Sequence, residues 1–327
     1  MLITTTQYDI FNLANELQVI KGKGGLPVIK VNNEYATSLI SIYGAQVLSF
    51  KKKSDSNLSH DSKSNSQNRE DKELLFLSDK AHYETGKAIK GGIPICWPWF
   101  GQDPEKRGRQ AHGFARNVMW KMVSTSSNAL SNKGAGTQIV LALNESEETK
   151  KLWPYTFELS LTIDIGKTLK LSLKTSNNDT QAFTITQALH TYFAVSNIEK
   201  IRIAGLNKSN YIDTTLKGMP VLEQVEDIDF HQEVDRIYIQ GPVLTLFDDG
   251  NIHDHKNGHK SRQINIQSKG SKTTVIWNPW VEISTKSVDL SNDAYKHFVC
   301  IETANAAEDV IEVLPNESFT LKAEYSY

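Results

Sequence analysis

The sequence predicts an all-β protein built as a large antiparallel β-sandwich. Between Phe157 and Ile165 every second residue is large and apolar, which is the two-residue period of a half-buried strand. The alternation resumes from Leu169 to Leu173 after the pair Gly166-Lys167, which is a hairpin pattern. Helical periodicity is scarce, and turn-forming residues separate the apolar runs. Many short strands with few helices are typical of a sandwich or a barrel.

Further strands are predicted, in chain order, wherever a short apolar or alternating run lies between turn formers. These runs are residues 27–31, 137–143, 182–188, 200–203, 243–247, 263–267, 273–277, 298–303 and 317–325. Two short helices are predicted, over residues 8–17 and 289–294.

We predict one sandwich domain over residues 1–327, because no linker interrupts the strand pattern. A typical sandwich uses ~100 residues, so the sheets of this chain must be large. Residues 51–72 stand apart, since they are mostly Ser, Asn, Asp, Lys and Glu, with Leu58 as the only aliphatic residue. Such a stretch cannot bury enough apolar surface to offset the entropy of ordering. We therefore predict a polar flexible loop at about 51–72, with phosphorylation of its serines as an open alternative.

Net charge, the length of the apolar runs and the number of cysteines argue against several classes of protein. The net charge is −2, from 36 Lys and Arg against 38 Asp and Glu, so the chain lacks the basic field of a non-specific nucleic-acid binder. No apolar run approaches the ~20 residues of a membrane helix, and the N-terminus lacks a secretory pattern. Two cysteines, Cys96 and Cys300, exclude a disulfide framework and favour a reducing compartment. We expect a cytoplasmic protein with no nucleic-acid or membrane partner.

Residues 90–101 read KGGIPICWPWFG and form the densest candidate segment. Proline does not fit a central strand, and glycine lets a backbone approach a ligand closely. The flat faces of Trp97 and Trp99 suit the C–H face of a sugar ring. A rigid loop that packs on the core explains the same composition, and the residues alone leave both interpretations open.

Two further segments carry basic or titratable side chains. Arg116, in the run HGFAR that begins at His112, suits bidentate binding of a carboxylate or phosphate. His190 shares the small, more polar face of its predicted strand with Ala188 and Tyr192, and imidazole gives and takes protons near neutral pH. A surface arginine and a structural histidine are the alternatives.

Two carboxylates complete the set of candidates. Glu302 stands at the end of the apolar run 298–303, where burial would raise its pKa towards that of a useful base. Asp235 could accept hydrogen bonds from sugar hydroxyls, or serve as a turn residue paired with Arg236.

Two features compete with these candidates. His253, His255 and His259 resemble a metal-ligand cluster, but their polar, turn-rich surroundings favour a hairpin loop. Cys300 lies near Glu302 without the local signature of a catalytic cysteine, and free cysteines are commonly buried small hydrophobes. We expect no metal site.

Taken together, these segments resemble the aldose 1-epimerase (mutarotase) family, and most closely its branch of D-hexose-6-phosphate mutarotases. The resembling segments are KGGIPICWPWFG (90–101), HGFARNVMW (112–120), LHTYF (189–193), DRIY (235–238), WNPW (277–280) and FVCIETANA (298–306). Their order and spacing across residues 25–327 carry the resemblance. The family fold is a large antiparallel β-sandwich, the galactose mutarotase-like supersandwich, in agreement with the strand pattern.

The resemblance implies interconversion of the α and β anomers of a hexose 6-phosphate, with no metal, nucleotide or redox cofactor. It implies that Glu302 is the general base and His190 the general acid. Asp235 is expected to bind sugar hydroxyls and Arg116 the phosphate. Lys90 stands where some members have arginine, which keeps the positive charge but loses the planar fork. The substrate-binding set is therefore Lys90, Arg116, Asp235, His112 and Trp97, with a small sugar phosphate as the partner.

Three alternatives stay open. The same sandwich could bind or sense carbohydrate without turnover, although a pure binder needs neither His190 nor Glu302. It could be a general aldose mutarotase without phosphate preference. A glycoside hydrolase or lyase usually needs two acidic residues that flank the bond, whereas one carboxylate stands out here.

Overall fold

The computed structural model of the protein describes residues 5–53, 72–127, 136–239, 243–250 and 262–327. The described residues contain twenty-two β-strands and two α-helices. The strands are β1 Leu17–Lys21, β2 Pro27–Asn32, β3 Ala36–Ser41, β4 Gln46–Lys52, β5 Ile95–Cys96, β6 Lys121–Ser127, β7 Gly136–Asn144, β8 Phe157–Gly166, β9 Leu169–Asn177, β10 Phe183–Ile185, β11 Gln187–Leu189, β12 Tyr192–Ala194, β13 Ile201–Ala204, β14 Asn210–Asp213, β15 Val221–Glu223, β16 Val234–Tyr238, β17 Leu244–Asp248, β18 Arg262–Lys269, β19 Thr273–Asn278, β20 Phe298–Asn305, β21 Ile311–Val313 and β22 Ser318–Ser326. The helices are α1 Glu147–Leu152 and α2 Trp280–Lys286, and none in the described ranges is long and apolar enough to cross a bilayer.

Two eight-stranded sheets dominate the architecture. Sheet I has the order β15-β14-β16-β19-β20-β11-β5, with β12 also paired to β20. Sheet II has the order β13-β17-β18-β22-β9-β8-β7-β6. A four-stranded sheet β1-β2-β3-β4 and the pair β10-β21 complete the set. All pairings between these strands are antiparallel, which confirms the predicted all-β antiparallel sandwich.

The hairpin β8–β9 shows how sequence alternation builds the main core. Phe157, Leu159, Leu161, Ile163 and Ile165 are all fully buried, while the residues between them are partly or fully exposed. Strand β9 pairs with β8 so that Ile165 lies opposite Leu169, as the hairpin pattern predicted. Each fully buried side chain of this size contributes ~1.5–3 kcal/mol of transfer free energy. This hairpin is therefore a large part of what holds sheet II against the rest of the core.

Strand β20 lies inside sheet I and is covered on both faces. All eight of its residues are buried. Val299 and Ile301 belong to the main hydrophobic core, whereas Cys300 and Ala304 belong to two small clusters on the opposite face. An apolar run without alternation is typical of a strand buried on both sides. The opposite face of sheet I therefore carries its own cover, and Glu302 points into it.

The run 182–188 was predicted as one strand, but it forms two. Strand β10 pairs with β21, whereas β11 pairs with β20 and with β5. Thr186 separates them, since its backbone N–H donates to the carbonyl of Pro98 and its hydroxyl accepts from the N–H of Phe100. The loop 98–100 thus takes the hydrogen bonds that a continuous ladder would have used.

Both predicted helices were wrong. The segment 8–17 is a 3-10 helix that ends at Phe11, after which β1 begins at Leu17. The segment 289–294 forms turns ahead of a short 3-10 helix, Ala294–His297. The two α-helices lie elsewhere, and α1 begins with a capping box in which Ser146 and Thr149 exchange side-chain and backbone hydrogen bonds.

The predicted polar loop begins later than expected. Strand β4 continues to Lys52, and Lys51 forms a bridge with Glu73 on the far side of the segment. Residues 54–71, which make up most of the predicted loop, lie outside the described residues.

Candidate active site

The candidate residues of four strands meet on the outer face of sheet I, away from the main core. Directly opposed residues of antiparallel strands share a face. One row across the sheet is Asp235, Trp277, Cys300 and Tyr192. The adjacent row contains Ile237, Val275 and Glu302. Strands β11 and β12 keep one register on β20, so His190, which lies between them, stands opposite Glu302.

His190 and Glu302 form the centre of this face. The Nδ1 atom of His190 lies 3.4 Å from Oε1 of Glu302. The two residues are only 7% and 1% exposed. Neither the Nδ1 atom of His190 nor the Oε2 atom of Glu302 has a hydrogen-bond partner among the described residues. Unpaired buried polar atoms are costly, so these two are typical of a site whose partner is a ligand.

Burial shifts the pKa values of this pair in opposite directions. It lowers the pKa of His190 well below its usual range, and the positive charges of Arg116 and Lys90 add to the effect. Burial also raises the pKa of Glu302 well above its usual range; Asp235 adds to this rise, and Arg116 opposes it. Both shifts disfavour the charged forms, so a protonated imidazole here is a stronger acid and an ionised carboxylate a stronger base than in water. Such a pair can act as acid and base in either direction.

Aromatic rings fix the imidazole of His190. The ring of Tyr192 stacks on it at 4.9 Å with an 8° angle between the planes. The ring of Trp277 approaches edge-on at 6.1 Å. The backbone N–H of His190 donates to the carbonyl of Pro94, which ties the residue to the 90–101 segment. The plane of the imidazole is thereby set before any substrate binds.

His112 lies beside this pair, with its ring 5.8 Å from that of His190. Its Nδ1 accepts a hydrogen bond from the N–H of Gly101 at 3.3 Å, so Nε2 carries the proton of the neutral ring. Burial lowers its pKa to about 3, and the charges of Arg116 and Lys90 add to that shift. At neutral pH His112 is a neutral donor and not an acid.

A glycine allows the HGFAR segment to reach this position. Gly113 has φ +69°, and a Cβ atom built on it would lie 1.9 Å from the carbonyl oxygen of Trp97. Only glycine fits so close a backbone approach. The turn at 112–113 is therefore pressed against the 90–101 segment, and the two sequence motifs become one surface.

Two cations flank the pair. Nη2 of Arg116 donates to the carbonyl of Ala111 at 3.0 Å, while its buried Nε has no partner among the described residues. In the described part of the chain no carboxylate lies within ion-pair distance of Arg116. Nζ of Lys90 lies 5.8 Å from the centre of the Trp277 ring and 3.8 Å from Oδ1 of Asp289. Both cations lower the pKa of His190, so both stand within electrostatic reach of it.

Asp235 lies on the same face as Glu302 and helps to raise its pKa. Its own pKa is raised by burial, and a hydrogen bond from Thr214 opposes that shift. The alternative pairing with Arg236 is wrong, because Arg236 is opposite Asp213 in register and its Nε lies 3.6 Å from that carboxylate.

Trp97 does not line this face, which corrects its assignment as a substrate-binding residue. It is fully buried in the main core, where its ring lies 4.6 Å from Phe157 and 5.0 Å from Trp153. Its Nε1 donates to Oγ1 of Thr175 at 3.0 Å. Because side chains alternate along a strand, Cys96 takes the outer face and Trp97 turns inwards.

Trp277 supplies the aromatic surface instead, and its sequence signal was the segment WNPW (277–280). The register of β19 on β16 places it directly opposite Asp235. Asp289, which follows α2, was likewise not singled out as a site residue. Its position next to Lys90 depends on long-range folding and had no local signal.

Of the two competing features, the structure describes only Cys300. Cys300 is fully buried, and burial together with the charge of Glu302 raises its pKa well above the usual range of a thiol, so it is a poor nucleophile. His253, His255 and His259 lie outside the described residues. Elsewhere, within the described ranges, no group of three or more His, Cys, Asp or Glu side chains is arranged to hold a metal ion.

Comparison with known proteins points to one family. The aldose 1-epimerase family model matches residues 27–326. A relative from Cenchrus ciliaris, named "Putative glucose-6-phosphate 1-epimerase", is 34% identical over 284 residues, which are 86% of this chain and 78% of the relative. A relative of the same name from Escherichia coli K12 is 32% identical over 285 residues, which are 86% of this chain and 84% of the relative.

A solved structure agrees with the sequence relatives. The crystal structure described as "a putative mutarotase (YeaD)" from Salmonella typhimurium has a TM-score of 0.81 and 27% identity. The match covers 97% of this chain and 95% of that one. The antiparallel sandwich derived above is thus the galactose mutarotase-like fold. With the family model spanning nearly the whole sequence, the chain belongs to the aldose 1-epimerase family.

Proposed function

We propose that the protein interconverts the α and β anomers of a hexose 6-phosphate, with glucose 6-phosphate as the first substrate to test. The observation that carries this proposal is the buried His190–Glu302 pair, 3.4 Å apart, with Arg116 and Lys90 beside it. Membership in the aldose 1-epimerase family supports the reaction class. The names of the two sequence relatives support the phosphorylated substrate.

In the proposed reaction, Glu302 takes the proton from the C1 hydroxyl while His190 gives a proton to the ring oxygen. The bond between C1 and the ring oxygen breaks, and the open-chain aldehyde forms. Rotation about C1–C2 presents the other face of the aldehyde. The ring hydroxyl then attacks C1, its proton returns to His190, and Glu302 gives its proton to the new C1 hydroxyl. The cycle is neutral in protons and electrons, and each transfer contributes ~10²–10⁴ in rate.

The phosphate preference rests on local cations. A sugar phosphate carries close to two negative charges at neutral pH, and a chain of net charge −2 offers it no general attraction. Arg116 has no carboxylate partner among the described residues, its Nε has no hydrogen-bond partner there, and a guanidinium suits two phosphate oxygens in one plane. Trp277 offers a flat apolar face for the sugar ring, and Asp235 offers an acceptor for its hydroxyls.

The catalytic assignment is tested with Glu302→Gln and His190→Asn. Both variants keep the approximate shape of the side chain, and we expect kcat to fall ~10²–10⁴-fold. Anomer exchange of glucose 6-phosphate is followed by two-dimensional exchange NMR. Glu308→Gln is the matched control, because Glu308 is exposed and lies on the same chain segment. Wild-type turnover in either folded site variant would refute the roles, and absence of turnover in the parent would favour a binding or regulatory sandwich.

The phosphate assignment is tested by measuring kcat/KM for glucose 6-phosphate and for glucose. A hydrogen bond to a charged group is worth ~1.5–3 kcal/mol, so Arg116→Gln should weaken binding of the phosphate by ~10–150-fold. The loss should fall on KM, because the phosphate does not change charge during ring opening. Lys90→Gln should lose less, since an ammonium lacks the planar fork. Arg107→Gln, at an exposed site, is the control. Equal loss on both sugars would indicate a general aldose mutarotase.

A further inference from the structure

The two cations of the site differ in one respect. Arg116 has no carboxylate within ion-pair distance in the described residues, whereas Lys90 faces Asp289, with 3.8 Å between Nζ and Oδ1. The side chains of Lys90 and Asp289 are 23% and 25% exposed, so the pair is only partly open to water. If Lys90 binds the phosphate of the substrate, the carboxylate of Asp289 competes with that phosphate for the ammonium group.

This pair is held in place by its backbones and is not a chance surface contact. Ser78, which is 1% exposed, donates its N–H to the carbonyl of Lys90 at 3.1 Å. Its hydroxyl donates to the carbonyl of Asp289 at 2.6 Å. Leu290, next to Asp289, is fully buried with Tyr192 and Phe298. One buried serine therefore holds the two backbones next to each other, which keeps the carboxylate of Asp289 close to the ammonium of Lys90.

The position of Lys90 connects the pair to the substrate. Its ammonium lies over Trp277, the aromatic surface proposed for the sugar ring, and its charge acts on His190. A phosphate that reaches this ammonium also approaches the Asp289 carboxylate. Like charges at such separation repel, and the phosphate brings nearly two of them.

We propose that Asp289 is a specificity-determining residue that opposes phosphate binding at Lys90 and so sets the KM for phosphorylated sugar. This inference rests on the proposed function. When the site is empty, the carboxylate balances the charge of Lys90 beside the buried imidazole. When product is formed, the same carboxylate favours its departure. Arg116 attracts the phosphate of the substrate, and the negative charge of Asp289 limits how tightly that phosphate binds.

The test is Asp289→Asn, which keeps the shape of the side chain and removes its charge. Partly exposed ion pairs are worth ~0.2–1 kcal/mol, which corresponds to about 1.4–5-fold in binding. Because the phosphate carries more than one charge, we expect KM for glucose 6-phosphate to fall by about 2–5-fold. KM for neutral glucose should stay unchanged, and the difference should shrink in high salt. Asp293→Asn is the matched control, since Asp293 is an exposed carboxylate a few residues away.

A double-variant cycle tests whether Asp289 acts through Lys90. In a Lys90→Gln background, Asp289→Asn should lose most of its effect on KM. An unchanged or raised KM in Asp289→Asn, while the parent still prefers the phosphorylated sugar, would overturn this inference and leave the proposed function standing. If the parent shows no such preference, the proposed phosphate pocket fails first, and this inference fails with it.

Discussion

His112 links the electrostatics of the site to the stability of the fold. Its pKa is about 3 in the folded protein, against about 6.5 for an ordinary histidine. The folded value is the lower one, so the unfolded chain binds more protons as the pH falls below about 6.5, and the free energy of unfolding decreases. Between pH 7.5 and pH 5, this one residue should lower the free energy of unfolding by about 2 kcal/mol. Any folded pKa below about 4 gives the same decrease.

The perturbation to make is His112→Asn. His112 has φ +64°, a conformation that asparagine tolerates, and the asparagine oxygen can accept the hydrogen bond from Gly101. Urea unfolding of parent and variant is measured at pH 7.5 and pH 5. The parent should lose about 2 kcal/mol more than the variant between the two pH values. His231→Asn controls for the loss of an exposed imidazole. Equal losses in parent and His112→Asn would refute the assigned burial and charge environment of His112.

Three further outcomes are expected. Trp97→Ala removes a core side chain and should lower the free energy of unfolding by ~3–5 kcal/mol, as measured by urea unfolding. Trp277→Ala should mainly raise KM, as measured by steady-state kinetics. The reverse pattern would show that Trp97 is a site residue after all. Replacing residues 54–71 by a short Gly-Ser turn should leave turnover within about twofold of the parent. Lys51 and Glu73 already form a β-bridge, and loop-closure entropy changes by only ~0.6 kcal/mol per doubling of loop length. A marked fall in melting temperature would contradict this expectation. Extensive chelation should leave turnover unchanged, since both proposed proton transfers use side chains; activity lost and then restored by one metal would show the opposite.

Local apolar patterns were enough to predict seven of the eight strands of sheet II. Strand β6 was missed, because Met122 is its only buried residue and most of its side chains are exposed. In β8 and β9 one face is buried and the other is not, so apolar and polar residues alternate in the sequence with a period of two. Strand β20 was also predictable, because a continuous apolar run without alternation indicates burial on both faces. Glu302 stands out in that run as the one carboxylate, which is why the sequence indicated it as a site residue.

The remaining features depend on long-range contacts that carry no local signal. Strand β11 separates from β10 because Thr186 bonds to the loop 98–100, which is distant in the sequence. Trp97 was assigned to the wrong side because a segment rich in proline and glycine has no period from which to read its faces. Asp289 meets Lys90 only through the fold, so no spacing in the sequence could indicate the pair.

The two faces of β20 explain how the site tolerates unpaired polar groups. Val299 and Ile301 anchor the strand in the main core through its inner face. On that outer face, Cys300 and Ala304 pack with apolar neighbours and keep water away from Glu302. An unpaired buried carboxyl lowers the stability of the fold by ~1–3 kcal/mol or more. The apolar contacts on the inner face of the strand offset this loss. The same dry surroundings raise the pKa of Glu302 and lower that of His190, so the arrangement that weakens the fold locally is the one that prepares both groups for proton transfer.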